Sequence, residues 1–490
     1  MKIETNLYEI IYQSILTQLY SGVLRCGQQL PSQKELCAQY HVGITTVRRV
    51  IRMLENDGFI SSSSGRRAVV CYQESDTSYI SSLLQRKESI LDMYGGLELL
   101  MTALYIQAVK QCTDFSPLYR MLPETDSKMK AADIYNHVCS FFTQLLTPYQ
   151  NSIILDLHTD MVHFCRIPSL PESIPGNLSG NPFGAGLYTG KPGLHSALSL
   201  MEQGKTAELR SWLEQTYRDA RQKTENYLNN LETLYPEHNT TSYQWYAWKE
   251  RMNLYTIVAR DLYQRISAGE FQNRPYLPSV PELMRTYGIS KSTASSAAAL
   301  LSDTGLVTAL DKKGMILRKN AEWPAVRLDP EVISDHLFLF LCVLQILAVC
   351  AEPLFLASVS GPNGSEANLT IKKWRLHPDM QPAYHIVHRL LDFLKLHAPY
   401  NCLQSILSQF DNILIWGHYL ARPEFDKPRA LEFEQVIPCR FAAFLASWEN
   451  GCPAEAAQRF GDIFKAAYCL CRAQILPSVR SAGRLPSAVI

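Results

Sequence analysis

Apolar residues recur with helical spacing over two stretches near the start of the chain. In residues 6–21 they fall on one stripe, and in residues 45–56 they recur at intervals of three and four positions. Between these stretches, Ser32 and Glu35 form an S-x-x-E capping box, which indicates the beginning of another short helix. Two short apolar runs then flank a turn at residues 64–66. The pattern predicts three helices and a β-hairpin, which is the arrangement of a winged helix-turn-helix domain.

The third predicted helix leaves polar side chains on the face opposite its apolar stripe. Hydroxyl and guanidinium groups at the beginning of such a helix reach phosphates and base edges in the major groove. Arginines at the tip of the hairpin suit backbone or minor-groove contacts. The polar residues on this face are Thr45, Thr46, Arg48, Arg49 and Arg52, and the turn of the hairpin contains Gly65, Arg66 and Arg67.

The same pattern returns 247 residues later. Asn253-Leu254-Tyr255 repeats Asn6-Leu7-Tyr8, Leu277-Pro278-Ser279 repeats Leu30-Pro31-Ser32, and Gly305 repeats Gly58. A constant offset indicates an internal duplication. We therefore predict a mainly α fold in which two winged helix-turn-helix domains alternate with two α-helical bundle domains. The predicted boundaries are 1–73 and 250–320 for the winged helices, 75–245 and 325–475 for the helical domains, and 476–490 for a disordered tail.

Charge is distributed unevenly along a chain whose overall formal net charge is only +1. Residues 1–72 contain eight basic and five acidic residues, and residues 253–319 contain nine and five. The two predicted winged helices therefore carry +3 and +4, which leaves −6 on the rest. Such a distribution is expected if only the winged helices contact a polyanion such as DNA.

Cysteine usage and hydropathy favour a cytoplasmic protein. The thirteen cysteines include no C-x-x-C pair, and most occur in apolar helical patterns, which is typical of buried, reduced thiols. The first residues show no signal-peptide pattern. The longest apolar run, Leu337 to Ala351, is followed by Glu352 and Pro353 and is too short to span a bilayer, so we expect a buried helix and no membrane partner.

At these motifs the chain resembles the GntR family of bacterial transcription regulators. The first domain shows the family's leading Leu-Tyr pair, the L-P-S-x-x-E-L motif, the turn and recognition helix, and the Gly-tipped wing. The resemblance implies that Lys34, Thr45 with Thr46, Arg48, and Gly65 with Arg66 read DNA. In the second domain, Pro281 and Ser295 replace Lys34 and Arg48. That domain keeps a polar helix start and wing tip at Ser290, Lys291, Ser292, Thr293, Lys313 and Gly314.

The helical regions resemble, more distantly, the FCD type of effector domain, which binds a small acid or a metal ion. The resemblance implies metal ligation by Asp133 and His137, which are spaced to share a helix face, and by His195. Tyr217 stands where the fourth ligand is expected, and His388 is the ligand kept by the second half. The open alternatives for the first helical domain are a divalent metal site, a metal-free pocket for a small-molecule effector, and a purely structural or dimerisation role.

Together these patterns predict a sequence-specific transcriptional regulator that binds double-stranded DNA, as a homodimer or as an intrachain pseudo-dimer. The motifs of common enzyme classes are absent from the sequence, so we predict no catalytic activity. One alternative is a protein-interaction or scaffold protein that retains winged helices without binding DNA. Another is a metal-dependent small-molecule-binding protein.

Overall fold

The structure is a computed structural model, and it confirms a mainly helical chain with two small hairpins. It describes residues 7–20, 24–40, 44–62, 67–71, 76–122, 131–167, 193–236, 243, 254–267, 270–271, 276–303, 307–310, 314–317, 330–376, 383–421, 427–476 and 486–487.

The first winged helix is built from three helices and a short hairpin. These elements are α1 (Leu7–Tyr20), α2 (Gln33–Gln39), α3 (Ile44–Asn56), β1 (Ile60–Ser61) and β2 (Val69–Val70). The predicted capping box is present, because the Ser32 amide donates to Glu35 and the Glu35 amide donates to the Ser32 hydroxyl. The strands pair in antiparallel register, and a further bridge joins Gln29 to Val69. The apolar stripe of α3 is buried as predicted.

The second winged helix repeats the first element by element. It comprises α11 (Leu254–Ser267), α12 (Val280–Tyr287), α13 (Lys291–Asp303), β3 (Val307–Leu310) and β4 (Gly314–Leu317). Helices α1 and α11, helices α3 and α13, and strands β1 and β3 all begin 247 residues apart. The second capping box, at Ser279 and Glu282, is also formed. The offset in the sequence therefore corresponds to a duplicated fold.

Two helical regions follow the two winged helices. The first contains α4 (Asp76–Gln85), α5 (Lys87–Gln111), α6 (Ser116–Tyr119), α7 (Ala131–Leu146), α8 (Ser152–Phe164), α9 (Leu194–Glu202) and α10 (Thr206–Leu234). The second contains α14 (Pro330–Ser360), α15 (Gly364–Leu376), α16 (Ala383–His397), α17 (Asn401–Leu414), α18 (Lys427–Glu449) and α19 (Pro453–Ile475). The last two helices of each region are joined through a glycine in the left-handed conformation, Gly204 in the first and Gly451 in the second.

The two helical regions pack against each other in a reciprocal way. At the beginning of α8, Asn151 donates to the Cys342 carbonyl and to Gln345 of α14, both at 2.8 Å. At the beginning of α17, the amides of Asn401 and Cys402 donate to the Asp92 carboxylate of α5, at 2.9 and 2.7 Å. Each region thus directs the N-terminus of one helix onto the long apolar helix of the other, as expected of a two-fold-like interface.

The apolar cores do not divide along the four predicted domains. Buried residues of the first winged helix form their own cluster, which includes Val47, Leu54 and Val70. The second cluster combines both helical regions with the second winged helix, for example Leu283 and Leu301. The first winged helix therefore has a separate core, whereas the second is continuous with the helical body.

The apolar run near the middle of the chain does not end its helix where the sequence suggested. Helix α14 continues through Glu352 and Pro353 to Ser360. A proline removes one backbone hydrogen bond, and burial against α5 and α19 holds the helix together despite that loss. By length and composition, Lys87–Gln111 and His336–Ser360 are each capable of crossing a membrane, but 78% of each apolar window is buried inside the protein. We interpret both as core helices.

Part of the tail that was predicted to be disordered is ordered. The Ser487 amide donates to the Tyr149 carbonyl at 3.0 Å, and Gln345 donates to the Ser487 carbonyl at 2.8 Å. Pro486 is buried and accepts from Arg472 at 3.1 Å. The prediction is therefore wrong for Pro486 and Ser487, because neither composition nor periodicity reveals that a backbone carbonyl of the first helical region and side chains of the second bind this short segment.

Candidate nucleic-acid interface

Helix α3 presents a basic face to solvent. Thr45, Arg48, Arg49 and Arg52 are exposed, and Thr46 is half-buried. The face exists because the apolar positions of α3 pack into the core of the first winged helix, which turns the intervening positions outward. Lys34 on α2 is exposed as well. The structure therefore brings together the helix residues that the sequence predicted for DNA contact.

Two of these arginines are positioned by neighbours that the sequence analysis did not identify. Arg48 donates from Nε to the Gln33 side chain at 3.3 Å, which directs it across the beginning of α2. The Arg49 guanidinium lies 3.4 Å from the centre of the Tyr8 ring, a cation–π contact that commits it to α1. The Leu7-Tyr8 pair was the sequence signal for this support. Arg49 is thus better suited to hold α3 against α1 than to contact bases.

The wing is described only in part. Gly65 and Arg66, and likewise Lys313 of the second wing, lie outside the described residues. Arg67 pairs with Glu35 at 3.3 Å, so it connects the wing to the capping box of α2. The pKa of Glu35 is lowered, mainly by the hydrogen bonds from the Ser32 amide and hydroxyl and further by Arg67. This pairing makes Arg67 a structural residue of the wing in the absence of DNA.

The corresponding face of the second winged helix is nearly neutral. Ser290, Lys291, Ser292 and Ser295 are exposed, while Thr293 is half-buried. The Ser290 hydroxyl accepts from the Thr293 amide at 3.2 Å and lies 2.9 Å from the Ser292 hydroxyl, so these groups cap the beginning of α13. Hydroxyls at a helix N-terminus suit phosphate oxygens. Lys291 is the basic residue of this face within the described part of α13.

Backbone geometry at the second wing fits its glycine. Gly314 begins β4 with φ +100°, a conformation that side chains rarely adopt. Pro281 lies in the first turn of α12, at the position equivalent to Lys34. A basic residue is therefore missing from both helices of the second module at the points where the first module has Lys34 and Arg48.

The predicted metal ligands are not brought together by the described side chains. His137 Nδ1 lies 3.2 Å from the Met121 carbonyl, and His195 is exposed on α9. The side chain of Asp133 lies outside the described residues. Among the described residues, no group of three His, Cys, Asp or Glu side chains is arranged to hold a metal ion. Tyr217, at the expected fourth position, is buried against α7 and α8.

The two helical regions differ in their interior space. In the first, aromatic residues including Tyr105, Phe142 and Tyr217 reduce the internal cavity to about 30 Å³. A separate polar cleft of about 360 Å³ is lined by Thr143, His158 and other residues of α7 and α8. Burial, followed by repulsion from His163, lowers the pKa of His158 from 6.5 to about 4. His158 is therefore neutral at pH 7, because its buried position disfavours the charged imidazolium.

The second helical region encloses an apolar cavity of about 380 Å³. Its polar lining groups lie on three helices: Tyr384 and His388 on α16, Glu434 on α18, and Gln474 on α19. His388 Nδ1 lies 3.3 Å from Asp411, which Lys395 also contacts at 2.8 Å. Gly417 leaves room for Phe340, since an added Cβ would lie 2.5 Å from that ring. The sequence analysis placed an effector in the first region, whereas the larger apolar space is in the second.

The fold defines a chain with two winged-helix modules, and the first of them exposes a basic recognition helix. The model of the bacterial regulatory proteins of the gntR family matches residues 7–70 and 254–317, which are the two winged helices. The chain thus carries two GntR-family domains, with the 247-residue spacing predicted from the sequence.

Named relatives match through these short segments. The chain is 39% identical over 75 residues to the HTH-type transcriptional repressor STM4068 of Salmonella typhimurium (strain LT2), covering 15% of this chain and 31% of the relative. It is 34% identical over 85 residues to the HTH-type transcriptional regulator TreR of Bacillus subtilis (strain 168), covering 17% and 36%. The chain therefore spans about a third of the length of these curated relatives. A solved structure, E. coli McbR/YncC, aligns at 18% identity and TM-score 0.24 over 47% of this chain and 99% of that one.

Proposed function

We propose that the protein is a cytoplasmic, DNA-binding transcriptional regulator in which one chain supplies both winged helices. The observation that carries the proposal is the exposed basic face of α3 on a domain that matches the GntR family. Both modules keep the capped α2-type helix and the recognition helix that such domains insert into the major groove. The similarity to named repressors and regulators is confined to these modules and supports the same function.

The packing of the helical regions supports an intrachain pseudo-dimer. GntR-type modules are expected to work in pairs on two half-sites, which ordinarily requires two subunits. Here the reciprocal contacts of Asn151 and Asp92 join two helical regions of the same chain. One chain therefore contacts both halves of an operator with its two winged helices. A homodimer would present four winged helices.

The two modules are proposed to play unequal parts on DNA. In the first, Lys34, Thr45, Thr46, Arg48 and Arg52 are available to read bases and phosphates, and we assign Gly65 and Arg66 to the wing contact. In the second, Ser290, Lys291, Ser292 and Thr293 lie at a helix N-terminus, with Lys313 and Gly314 at the wing. Hydroxyls and lysines of this kind grip phosphates without strong base discrimination. The operator is therefore expected to be asymmetric.

Selection of bound sequences from random DNA, followed by titration of the full chain, tests the proposal. Replacing Arg48 and Arg52 with alanine should lower affinity by about 10- to 100-fold, because an arginine–guanine pair discriminates by about 1–3 kcal/mol. The salt dependence should also become shallower by about one unit of log–log slope for each phosphate contact removed. Ser295→Ala, at the position equivalent to Arg48, is the matched control and should change affinity by less than about twofold.

The outcomes separate the parts of the proposal. If the unaltered chain binds no DNA at low salt, the regulator proposal fails and a protein-interaction role takes its place. The mass of the complex on operator DNA tests the pseudo-dimer independently. One chain per operator supports it, whereas two chains contradict it and leave DNA binding intact.

We further propose that the cavity of the second helical region is the effector site. Its size falls within the range of small-molecule pockets, and it is mostly apolar with a few convergent polar groups. Among its described lining residues there is no Lys or Arg, whereas Glu434 contributes a carboxylate. The chemistry favours a neutral or cationic apolar molecule with one hydrogen-bonding group over a carboxylic acid.

Octanol, octylamine and octanoate form a chain-matched set of probes for this site. The alcohol and the amine should raise the melting temperature of the chain, because a ligand that binds only the folded state stabilises it. Octanoate should raise it less. Ala467→Leu fills the cavity from α19 and should abolish the shifts without loss of helical content. If none of the three probes alters the melting temperature of the unaltered chain, the assignment of the effector site is wrong.

A further inference from the structure

Two exposed cysteines lie close together at the base of the first wing. All thirteen cysteines are free, and Cys26 and Cys71 are exposed members of the first winged helix. The sequence-based prediction of mostly buried thiols is therefore wrong for this pair. Cys26 lies in the turn before the motif that begins α2, and Cys71 directly follows β2. Neither has a role in the DNA contacts proposed above.

The hydrogen bonds between these two segments place the cysteines at the same end of one hydrogen-bonded contact. The Val70 amide donates to the Gln28 carbonyl at 2.9 Å, and the Gly27 amide donates to the Val70 carbonyl at 2.8 Å. With Gly27 at φ +81°, this is a bulge in which Gly27 and Gln28 together face Val70. The next residue along each segment is a cysteine, Cys26 before Gly27 and Cys71 after Val70. Cys26 is at a corner of the β-turn that the Gln28 amide closes on the Arg25 carbonyl at 3.0 Å, so the two cysteines adjoin the same bulge.

The backbone of Cys71 is bound on its other side by the segment that begins β1. The Cys71 amide donates to the Phe59 carbonyl at 3.0 Å, on the strand at its other side. Each cysteine is one residue away from the hydrogen-bonded contact of Gly27 with Val70, which makes the two thiols near neighbours. A disulfide requires a Cα separation of about 4.4–6.8 Å. Val69 bridges Gln29 two positions away, on the same outward face.

We propose that Cys26 and Cys71 are a redox-sensitive site, in which the two thiols form a reversible disulfide when a peroxide oxidises them. One thiolate attacks the peroxide O–O bond, which yields a sulfenic acid and releases one water once the leaving oxygen is protonated. The second thiolate then attacks the sulfenic sulfur, forms the S–S bond and expels the second water. Overall, two thiols and one hydrogen peroxide give one disulfide and two waters. A dithiol reductant reverses the step.

The site is specific to the first module. At the 247-residue offset its counterparts are Asn273 and Arg318, so the second module has no thiol pair. The bond would tie the end of β2 to the turn that precedes α2. The cross-link lies within the domain that has a separate core, so it stabilises this module by restricting its unfolded state. Disulfides in reducing compartments are usually catalytic or redox-sensing, which fits a switch.

Peptide mapping of the full chain tests the site. The chain is treated with stoichiometric hydrogen peroxide, its remaining thiols are alkylated, and the digest is analysed by mass spectrometry. A linked peptide pair containing Cys26 and Cys71, lighter by two hydrogen atoms and released by dithiothreitol, is expected. The melting temperature of the first winged helix should rise on oxidation in the unaltered chain. It should not rise in Cys26→Ser or Cys71→Ser, and Cys452→Ser, at another exposed thiol, should behave like the unaltered chain.

A second measurement does not depend on the variants folding. Dibromobimane, which fluoresces strongly after reaction with two neighbouring thiols, should link Cys26 to Cys71 in the reduced native chain. Recovery of both residues as separately oxidised or separately labelled peptides, with no linked pair, would overturn the proposal. A linkage found between chains instead of within one chain would overturn it as well.

Discussion

The first and second halves of this chain share one succession of elements and differ in surface charge and interior volume. The recognition helix of the first half is basic, whereas that of the second half displays mainly hydroxyls. Conversely, aromatic side chains reduce the internal cavity of the first helical region to about 30 Å³ beside a separate cleft of about 360 Å³, whereas the second contains a mostly apolar cavity of about 380 Å³. A duplicated fold constrains the positions that pack and leaves the outward and cavity-lining positions free to diverge. The proposed DNA-reading face and the proposed effector site therefore belong to different copies.

The largest expected contrast concerns the two cores. Leu54 and Leu301 are equivalent and fully buried, so alanine at either should cost about 2–5 kcal/mol. Leu54→Ala weakens a separate core and should produce an early unfolding transition of the first module alone in calorimetry. Leu301→Ala weakens a core continuous with the helical body, so it should lower the main transition. The same early transition in both variants would contradict this distinction.

A second contrast concerns acid sensitivity. The buried His158 has a pKa of about 4 in the folded chain and 6.5 when solvated. Below pH 6.5 His158 binds a proton in the unfolded state but not in the folded state. The free energy of unfolding therefore falls as the pH drops from 6.5 to 4. The loss is at most about 3 kcal/mol. In the second half, α17 occupies the place of α8 and contains no histidine.

Urea titrations at pH 7 and pH 5 measure this effect. The loss of stability on acidification should be smaller in His158→Gln than in the unaltered chain. His195→Gln, at an exposed position on α9, is the control and should retain the full loss. Equal losses in all three proteins would show that His158 does not control acid stability.

The two reciprocal helix termini should also contribute unequally. Asn151 is buried, caps α8 through the amides of Ile153 and Ile154, and bonds across the interface. Asn151→Ala should therefore cost about 1–3 kcal/mol. Asp92→Asn keeps the shape at α17 but replaces one of the two accepting oxygens with an NH2 donor that faces a backbone amide, which should cost about 1 kcal/mol. Hydrogen exchange of the first turns of α8 and α17 would locate each effect, and a larger loss at α17 would reverse the expected order.

The smallest expected effect converts one recognition helix towards the other. Ser295→Arg adds to α13 the guanidinium that α3 has at Arg48. The log–log salt slope of DNA binding should steepen by about one, with an affinity gain of less than about tenfold. Ser295→Gln, uncharged and of similar length, is the control. An unchanged slope for the arginine variant would mean that α13 does not face phosphate.

The winged helices were predictable in detail because their signals are local. Capping boxes, the spacing of apolar residues and the constant offset depend on residues within a few turns of one another. The same locality explains why Lys34, Thr45 and Arg48 could be predicted to face solvent, as they do. The contacts of Arg49 with Tyr8 and of Arg67 with Glu35 join positions that are distant in the sequence. A single sequence does not show which arginines make such contacts within the protein.

The helical regions were predicted less well because their distinguishing features depend on long-range packing. Helix α14 continues past Pro353 because neighbouring helices bury it, and Ser487 is ordered because the Tyr149 carbonyl and the Gln345 side chain bind its backbone. The volume of the second cavity follows from which large and small residues meet across six elements, including Gly417 and Phe340. Periodicity identifies such helices but does not specify which of their side chains contact one another.

The interface of Asn151 and Asp92 joins parts of one polypeptide, and this alters how the protein responds to its own abundance. Partners held in separate chains come apart on dilution, so the paired fraction depends on their total concentration. Two regions of one chain are instead held at a fixed effective concentration relative to each other. The paired arrangement of these helical regions is therefore independent of copy number, and a cell with very few molecules still holds each of them fully assembled.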